Sequence, residues 1–435
     1  MPRILFDNFS GGLAKTPWRG IQGSFATLAG LDIHSTPGVV RANQRLVKDN
    51  IGALQDELIA FFLIGNKIPF YIHGFTRSGN VYRKNAFGTW ERVYGTSGSD
   101  FRGAAEYKDH FFWATADGRV FRKNVGIENN DPLDWRDARY YYRVTPLGPE
   151  YWIEPHLWIP MHVLDLKLYI GSRNNLYLIR WNASTNAFDF ARSLTFEDHL
   201  NCRALGSISS DLIIGFQTDS PNVLTEIKRW DTAAVSWNFA DKYINEVSVN
   251  AFLPVENYLF FQGGYGGNIY LFDGFRSRKM FSIPGELIGT RAFETRPGDL
   301  VVFEVKPGAV TIFNGLTLFG FGVGPRQSNM PSTFLQGIYS LGRKDKDLPL
   351  VLNLEYIIEN SDGRPLFSRL EIGALATWGN TLYVSWRDLR VGGEYGVSYL
   401  DLNQKCPHAF LETRVMELGG IEVKKIGINY ADLPP

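Results

Sequence analysis

The stretch "HVLDLKLYIGSRNNLYLIRWNASTNAF" at residues 162–188 carries the pattern that decides the fold. A short apolar strand meets a polar turn, and a second apolar strand follows. A Gly/Asn turn then leads into an aromatic-rich third strand. The phrase returns as "FLPVENYLFFQGGYGGNIYLFDGFRSRKMF" (252–281) and as "ALATWGNTLYVSWRDLRVGGEYGVSYLDLNQK" (374–405). Looser copies occupy 103–125, 206–237 and 294–322, and the weakest is 61–93.

Anchored on the start of each second strand, the units fall at Phe70, Phe111, Leu168, Leu212, Leu259, Leu300 and Leu382. The steps are roughly 40–60 residues with a final one of about 80, near the ~40–50 residues of a propeller blade. Strands such as "LYLIRW" and "DLVVFEV" are apolar on both faces, as sheets sandwiched between two neighbours must be. Gly-Asn, Asp-Gly and Asn-Asn pairs supply the positive φ of tight hairpins. Helical periodicity is nearly absent. The pattern predicts an all-β chain: a β-propeller of about seven blades, six to eight in range, with an irregular N-terminal arm. Paired irregular sandwiches or a solenoid are the rivals, and a solenoid would show shorter periods. The step from Leu300 to Leu382 holds either one blade with an insertion or an eighth, divergent blade. Ring closure needs a strand from one terminus to complete a blade begun by the other. The apolar segments 57–65 and 409–418 are the expected closing strands.

The remainder of the chain sets bounds. It has 435 residues, 44% hydrophobic, enough for one large repetitive domain. Forty-five basic residues balance forty-five acidic ones, which argues against a general nucleic-acid or membrane-surface binder. Cys202 and Cys406 are isolated, so neither a disulfide framework nor a zinc site is expected, and folding inside a cell is. The longest apolar run, 58–64, is far below the ~18 residues of a membrane span. A soluble chain without a signal peptide is expected.

No reaction assembles from the motifs. The histidines (His34, His73, His110, His156, His162, His199, His408) form no metal-binding spacing. The glycine-rich "GGYGGN" (263–268) and "GFGVG" (320–324) precede no helix, so hairpin turns and close blade packing explain them better than phosphate binding. Asp131, Asp134 and Asp137 lie in a polar, aromatic loop suited to sugar or calcium, but the calcium-loop spacing is missing. "NAFGTWERV" (85–93) lacks the Ser-x-Asp lead of a sialidase aspartate box. Strand tryptophans and tyrosines read as blade core rather than sugar platforms. The expectation is no catalysis, no cofactor and no metal.

Residues 1–50 stand apart, being broken by Gly and Pro yet punctuated by Phe6, Phe9, Leu13, Trp18, Ile21, Phe25, Leu28 and Leu31. Such a segment cannot offset its ordering entropy alone and gains order by lying on another surface. Phe6, Phe9, Leu13, Trp18, Phe25 and Leu31 are the expected interface residues of a docking arm. Residues 51–418 are assigned to the propeller. Residues 419–435 begin a new alternating strand, the start of a further β element or one that docks on a neighbour.

Three phrases carry a family resemblance: "FDNFSGGLAKTP … ATLAGLDIHSTPGVVRANQRL" (6–46), "GIYSLGRKDKDLPLVLNLEYII" (337–358) and "ETRVMELGGIEVKKIGINY" (412–430). The opening resembles tailed-bacteriophage virion proteins that begin F-x-G-G-L (here Phe9 to Leu13), pass through G-x-x-R (here Gly38 to Arg41) and continue into a β-propeller. Tail hub or nozzle proteins and tail-tip propeller proteins are the nearest types. The resemblance implies a non-catalytic structural protein of the virion, assembled in the host cytoplasm. Its partners would be copies of itself and neighbouring tail or neck proteins, without cofactor, membrane insertion or sequence-specific nucleic acid. Longer members carry a C-terminal sandwich that this sequence lacks. A carbohydrate-binding or glycan-cleaving propeller reading a host glycan is the alternative, and a WD-repeat-type scaffold ranks behind it because Trp-Asp pairs do not recur at fixed blade positions.

Overall fold

The computed structural model describes residues 25–33, 41–49, 54, 56–64, 71–84, 88–95, 100–125, 135, 138–144, 158–218, 223–241, 244, 246–264, 266–285, 303–323, 334–343, 346–347, 349–390, 393–413, 416–418, 421–423 and 427–429. Over these it is all-β, with no α-helix. The chain opens with β1 (Phe25–Ala29), β2 (Leu31–Asp32), β3 (Arg41–Ala42) and β4 (Gln44–Lys48).

Seven four-stranded antiparallel units follow. Blade 1 is β5 (Leu58–Ile64), β6 (Tyr71–Thr76), β7 (Asn80–Lys84) and β8 (Trp90–Gly95). Blade 2 is β9 (Phe101–Tyr107), β10 (His110–Thr115), β11 (Arg119–Asn124) and β12 (Arg139–Arg143). Blade 3 is β13 (Met161–Leu164), β14 (Lys167–Ser172), β15 (Asn175–Asn182) and β16 (Ala187–Thr195). Blade 4 is β17 (Leu200–Ile208), β18 (Asp211–Thr218), β19 (Ile227–Trp230) and β20 (Phe239–Asp241). Blade 5 is β21 (Val249–Val255), β22 (Tyr258–Gly263), β23 (Asn268–Phe272) and β24 (Ser277–Ser282). Blade 6 is β25 (Phe303–Phe313), β26 (Leu316–Val323), β27 (Gly337–Gly342) and β28 (Val351–Tyr356). Blade 7 is β29 (Leu370–Trp378), β30 (Thr381–Asp388), β31 (Tyr395–Lys405) and, from the other end of the chain, β4.

The first strands of the blades touch in the order β5, β9, β13, β17, β21, β25, β29 and back to β5, a closed ring around an axis. The protein is a seven-bladed β-propeller. Each blade-to-blade interface has its own apolar cluster, seven in all among the described residues. Between blades 1 and 2, for example, Phe75, Phe111, Trp113 and Trp135 meet edge-on or tilted. Burial on both faces is why these strands do not alternate apolar with polar. The turns between first and second strands have two residues with left-handed φ in blades 2, 3 and 6, as at Lys108 (48°), Asp165 (47°) and Asn314 (50°), and one in blades 4 and 5, Ser209 (53°) and Glu256 (52°).

Two expectations are corrected. The anchor at Leu300 belongs just before the first strand of blade 6, not its second, which begins at Leu316. The long step to Leu382 is therefore blade 6 alone, with no eighth blade. The closing strand is neither 57–65 nor 409–418. The first contains the inner strand of blade 1, and the second contains β32 (Phe410–Thr413), outside blade 6. Closure falls to β4, within the segment assigned to the arm. It pairs antiparallel with β31 through Leu46↔Leu400 and Lys48↔Ser398. Its surroundings bind three blades together. Asn43 donates to Glu355 (2.7 Å) on blade 6, Lys48 reaches Glu394 beside blade 7, and Asp49 accepts from Lys84 (2.7 Å) and Trp90 (3.0 Å) on blade 1. Short, polar and half-exposed, "QRLVK" lacked the apolar signature of the other strands, so its role follows from register rather than hydrophobicity.

Blade 6 is extended outward. Strand β1 runs parallel to β28 (Ala29↔Leu354) and antiparallel to β32, which pairs in turn with β35 (Gly427–Asn429). A small hairpin of β33 (Met416–Leu418) and β34 (Ile421–Val423) intervenes. Of the expected docking residues, Leu31 is buried in the core between blades 5 and 6, Phe25 lies in β1, and Phe6, Phe9, Leu13 and Trp18 fall outside the described residues. From residue 25 onward, the described part of the arm is thus a strap on its own propeller, and its removal would not leave the ring intact.

Leu46 is 2% exposed and packs among Leu370, Leu382 and Leu400. Leu46→Ala is expected to cost ~2–5 kcal/mol, read as a lower denaturant midpoint, although the sequence alone marks it as part of a dispensable arm.

Candidate functional site

The polar residues of greatest interest sit where the seven inner strands converge. Six of those strands are irregular near their beginning. In β9 the pairing with β10 passes from Phe101 to Gly103, skipping Arg102. Strand β17 skips Arg203, β21 skips Asn250, β29 skips Gly373 and β5 skips Ile59. Strand β25 jumps from Val305 to Val310 while its partner advances only from Phe321 to Phe319. A bulge re-aims the side chain it carries. Here it turns Arg102, Arg203, Asn250 and Lys306 toward the axis.

The ion pairs show that Arg203 and Lys306 reach it. Lys306 of blade 6 lies 2.6 Å from Glu57, at the start of blade 1, and 2.6 Å from Glu371 of blade 7. Arg77, in the second hairpin of blade 1, contacts the same two carboxylates at 2.9 and 2.8 Å. Arg203 of blade 4 pairs with Glu304 of blade 6. Blades 6 and 1 are not neighbours, and neither are blades 4 and 6, so these contacts cross the centre. Every one of Glu57, Arg102, Arg203, Glu304, Lys306 and Glu371 is 3% exposed or less. Trp158 lies beside the group, its ring 5.7 Å from the Lys306 ammonium and 5.9 Å from the Arg77 guanidinium.

Backbone completes the filling. Residues 306–309 of β25 bow inward until Gly308 abuts the Ile59 carbonyl across the axis, where an added Cβ would sit 2.1 Å from that oxygen. Gly373 meets the Leu58 carbonyl in the same way, at 2.0 Å. Only glycine fits either position. An amide network flanks the charges: Asn250 donates to Gln262 (2.7 Å), whose oxygen accepts from the Val305 amide (3.1 Å).

The electrostatics follow from this crowding. Burial and the adjacent Glu371 carboxylate push Glu57 up to about 7, against the pull of Lys306 and Arg77. At Glu371 burial also acts upward, but Lys306 and Arg77 outweigh it and hold the carboxyl below its ordinary range. Burial pushes Arg102 down to about 10, with Arg77 and Arg203 adding to the effect and Asp100 opposing it. Perturbed groups of this kind often mark active sites. Here the carboxylates are engaged by the buried cations, and the pairs join blades 1, 6 and 7.

The other residues singled out by sequence are scattered. Asp131, Asp134 and Asp137 fall outside the described residues, while Trp135 between them is buried core. His73 is buried near the Trp135 ring, His162 is within 3.2 Å of Ser207, and His408 meets the Gly363 carbonyl at 3.0 Å. Among the described residues no group of three or more His, Cys, Asp or Glu is placed to hold a metal. Trp386 and Trp230 are buried in blade cores as expected, but Trp181 is only half-buried. The axial charges escaped sequence reading because "FRG" and "NCRAL" look like ordinary strand alternation.

The shifts give a test with a definite sign. A carboxyl whose folded pKa lies above its unfolded value adds no penalty below about pH 4.5, and stability then falls as pH rises toward 7. Glu57→Gln should abolish that decline in urea-unfolding free energies and cost little near neutrality. Glu371→Gln leaves the two buried cations with Glu57 as the one carboxylate they share, and should cost ~3–5 kcal/mol at pH 7.

No protein-family model matches the sequence, and no curated protein does. Among solved structures, the chain is similar to the computationally designed Ika8 protein (12% identity, 82% of this chain and 100% of that one, TM-score 0.42). It is also similar to the Cps50 (Swd1) β-propeller domain of Myceliophteria thermophila (9%, 81% and 99%, 0.46) and to YCF48 bound to D1 peptide (10%, 87% and 99%, 0.49). At these levels the strand pairing described above, rather than likeness, carries the fold.

Proposed function

We propose that this chain is a structural, non-catalytic protein of a tailed-phage virion, built in several copies into the tail or neck. The observation that supports the reading is one sheet. The opening phrase resembling phage virion proteins lies hundreds of residues before the other two, yet strands from all three lie side by side. Strands β27 and β28 come from 337–358, β1 from the opening phrase and β35 from the closing phrase, with β32 running into the start of the closing phrase, in the order β27-β28-β1-β32-β35. The likeness therefore tracks a continuous piece of structure, the outward extension of blade 6, rather than three unrelated coincidences.

The axial filling constrains how such a protein would serve a tail. A propeller whose centre is occupied by Lys306, Glu57, Glu371 and the bow of 306–309 does not pass a polymer along its own axis. Any conduit would run between copies arranged around a common symmetry axis, with neighbouring tail or neck proteins as the further partners. A sheet continued beyond the blade suits that arrangement, since edge strands are natural places for chains to join.

The test separates docking from folding. Deleting residues 1–24 spares β1 and β4, so the propeller should keep its unfolding midpoint. The full chain should form closed rings visible by electron microscopy and be found by mass spectrometry in purified virions, and the deletion should do neither. Trp18→Ala should act likewise, because truncating an interface aromatic commonly costs ~2 kcal/mol or more and symmetry repeats the loss. A full chain that stays monomeric at all concentrations, or a deletion that assembles normally, overturns the reading.

A further inference from the structure

A cleft of about 590 Å³ opens between blades 2 and 3, lined by Lys108, Asp109, His110, Arg122, Arg139 and Trp181 among others. It lies on the face opposite the axial charges, because the hairpin of β9 and β10 and that of β15 and β16 both turn there. The left-handed turn at Lys108 and Asp109 (φ 48° and 57°) sets both side chains at its rim.

Its chemistry centres on two arginines. Arg122 and Arg139 are direct cross-strand partners in β11 and β12. Like charges placed opposite one another destabilise a sheet. Neighbouring arginines are balanced: Arg119 and Arg143 share Asp117, Arg102 has Asp100, and Arg180 has Asp189. Among the described residues no carboxylate pairs with Arg122 or Arg139. The Arg122 guanidinium instead lies over the rings of Tyr141 (4.8 Å) and Phe188 (5.3 Å), which fix its plane. Burial, and then Arg139, push its pKa below the ordinary value, so the protonated pair is poised to gain from an anion.

We propose that this cleft binds a monoanionic sugar acid, of the uronic or sialic type, with its carboxylate on Arg122 and Arg139 and its ring against Trp181. A planar guanidinium fork matches a carboxylate in two parallel hydrogen bonds. Trp181, half-buried and held edge-on to Phe188 at 4.9 Å, supplies an apolar wall, and the Asn124 and Asn186 amides bring groups that recognise hydroxyls. Asp109 at the rim disfavours a dianion such as a phosphate monoester. The volume suits one or two sugar rings rather than a folded partner. The site is independent of the assembly role proposed above, and either can fail without the other.

The experiment is saturation-transfer NMR with calorimetry on the full chain. The probes are glucuronic acid, N-acetylneuraminic acid, glucose, glucose 6-phosphate and an Asp/Glu-rich peptide. Sugar acids should bind with millimolar or better affinity and glucose at least tenfold more weakly. Arg122→Gln and Arg139→Gln should each lower affinity about tenfold or more, the loss of one charge-assisted pair. Arg122→Lys keeps a cation over the two rings and therefore the melting temperature, but loses the fork and should weaken binding as well. Trp181→Ala should reduce saturation transfer to the sugar ring protons. No sugar-acid signal up to about 20 mM, a limit set by the weakest specific affinities, overturns the proposal. So does preference for the phosphate ester or the peptide, or sugar-acid binding indifferent to both arginine substitutions.

Discussion

Charges that meet across the propeller axis are the constraint on which the rest of the molecule depends. Removing an ion from water costs several kcal/mol even after relaxation, and only close, hydrogen-bonded pairing offsets it. Lys306 finds its carboxylates on blades 7 and 1, and Arg203 finds Glu304 two blades away. These partners are brought together by a complete ring alone. Six blades would crowd them and eight would part them, leaving buried charge unmatched. The apolar clusters between blades are generic in chemistry, whereas the axial pairs are specific in geometry. Adhesion comes from the first and the blade number from the second. The bulge links the two scales, since in β17 one extra residue turns Arg203 from the interface to its partner across the axis.

How much of this was legible in the sequence depended on whether the signal was local. The blades were, because sheets buried on both faces leave uninterrupted runs such as "DLIIGFQT" and "LTLFGFGV", and two-residue hairpins leave turn chemistry behind. Blade 6 was misread because its inner strand is eleven residues long with Lys306 to Ala309 bowed out of register, so one strand resembled two. The closing strand was missed for the opposite reason. Its five residues bury one leucine and draw their meaning from partners more than 300 positions away. The axial charges and the arginine pair of the cleft depend on register, which periodicity does not encode.

The extended sheet of blade 6 and the closure of blade 7 place both ends of the described chain on adjacent blades. This makes one sector of the disc unlike the other five. The rest is a rigid wheel of hairpins, and the distinctive sector carries the segments that set this protein apart from a bare propeller. In the assembly proposed above, a specialised sector would give the ring direction, because the wheel then presents one distinctive edge and not seven equivalent ones.

The pairing of Lys48 with Ser398 also has a kinetic side. A ribosome releases the closing strand first and its partner about 350 residues later, at ~5–20 residues per second. For that interval β4 has no ladder, Leu46 no pocket and Asp49 only the blade 1 half of its surroundings. Long-range pairings of this sort slow folding, since the entropy of closing the loop is lost before any contact compensates it. A nascent chain would hold successive blades with an open flank and half-matched ions at its centre. Closure of the ring would come when β31 arrives and β4, among the earliest strands made, at last finds its ladder.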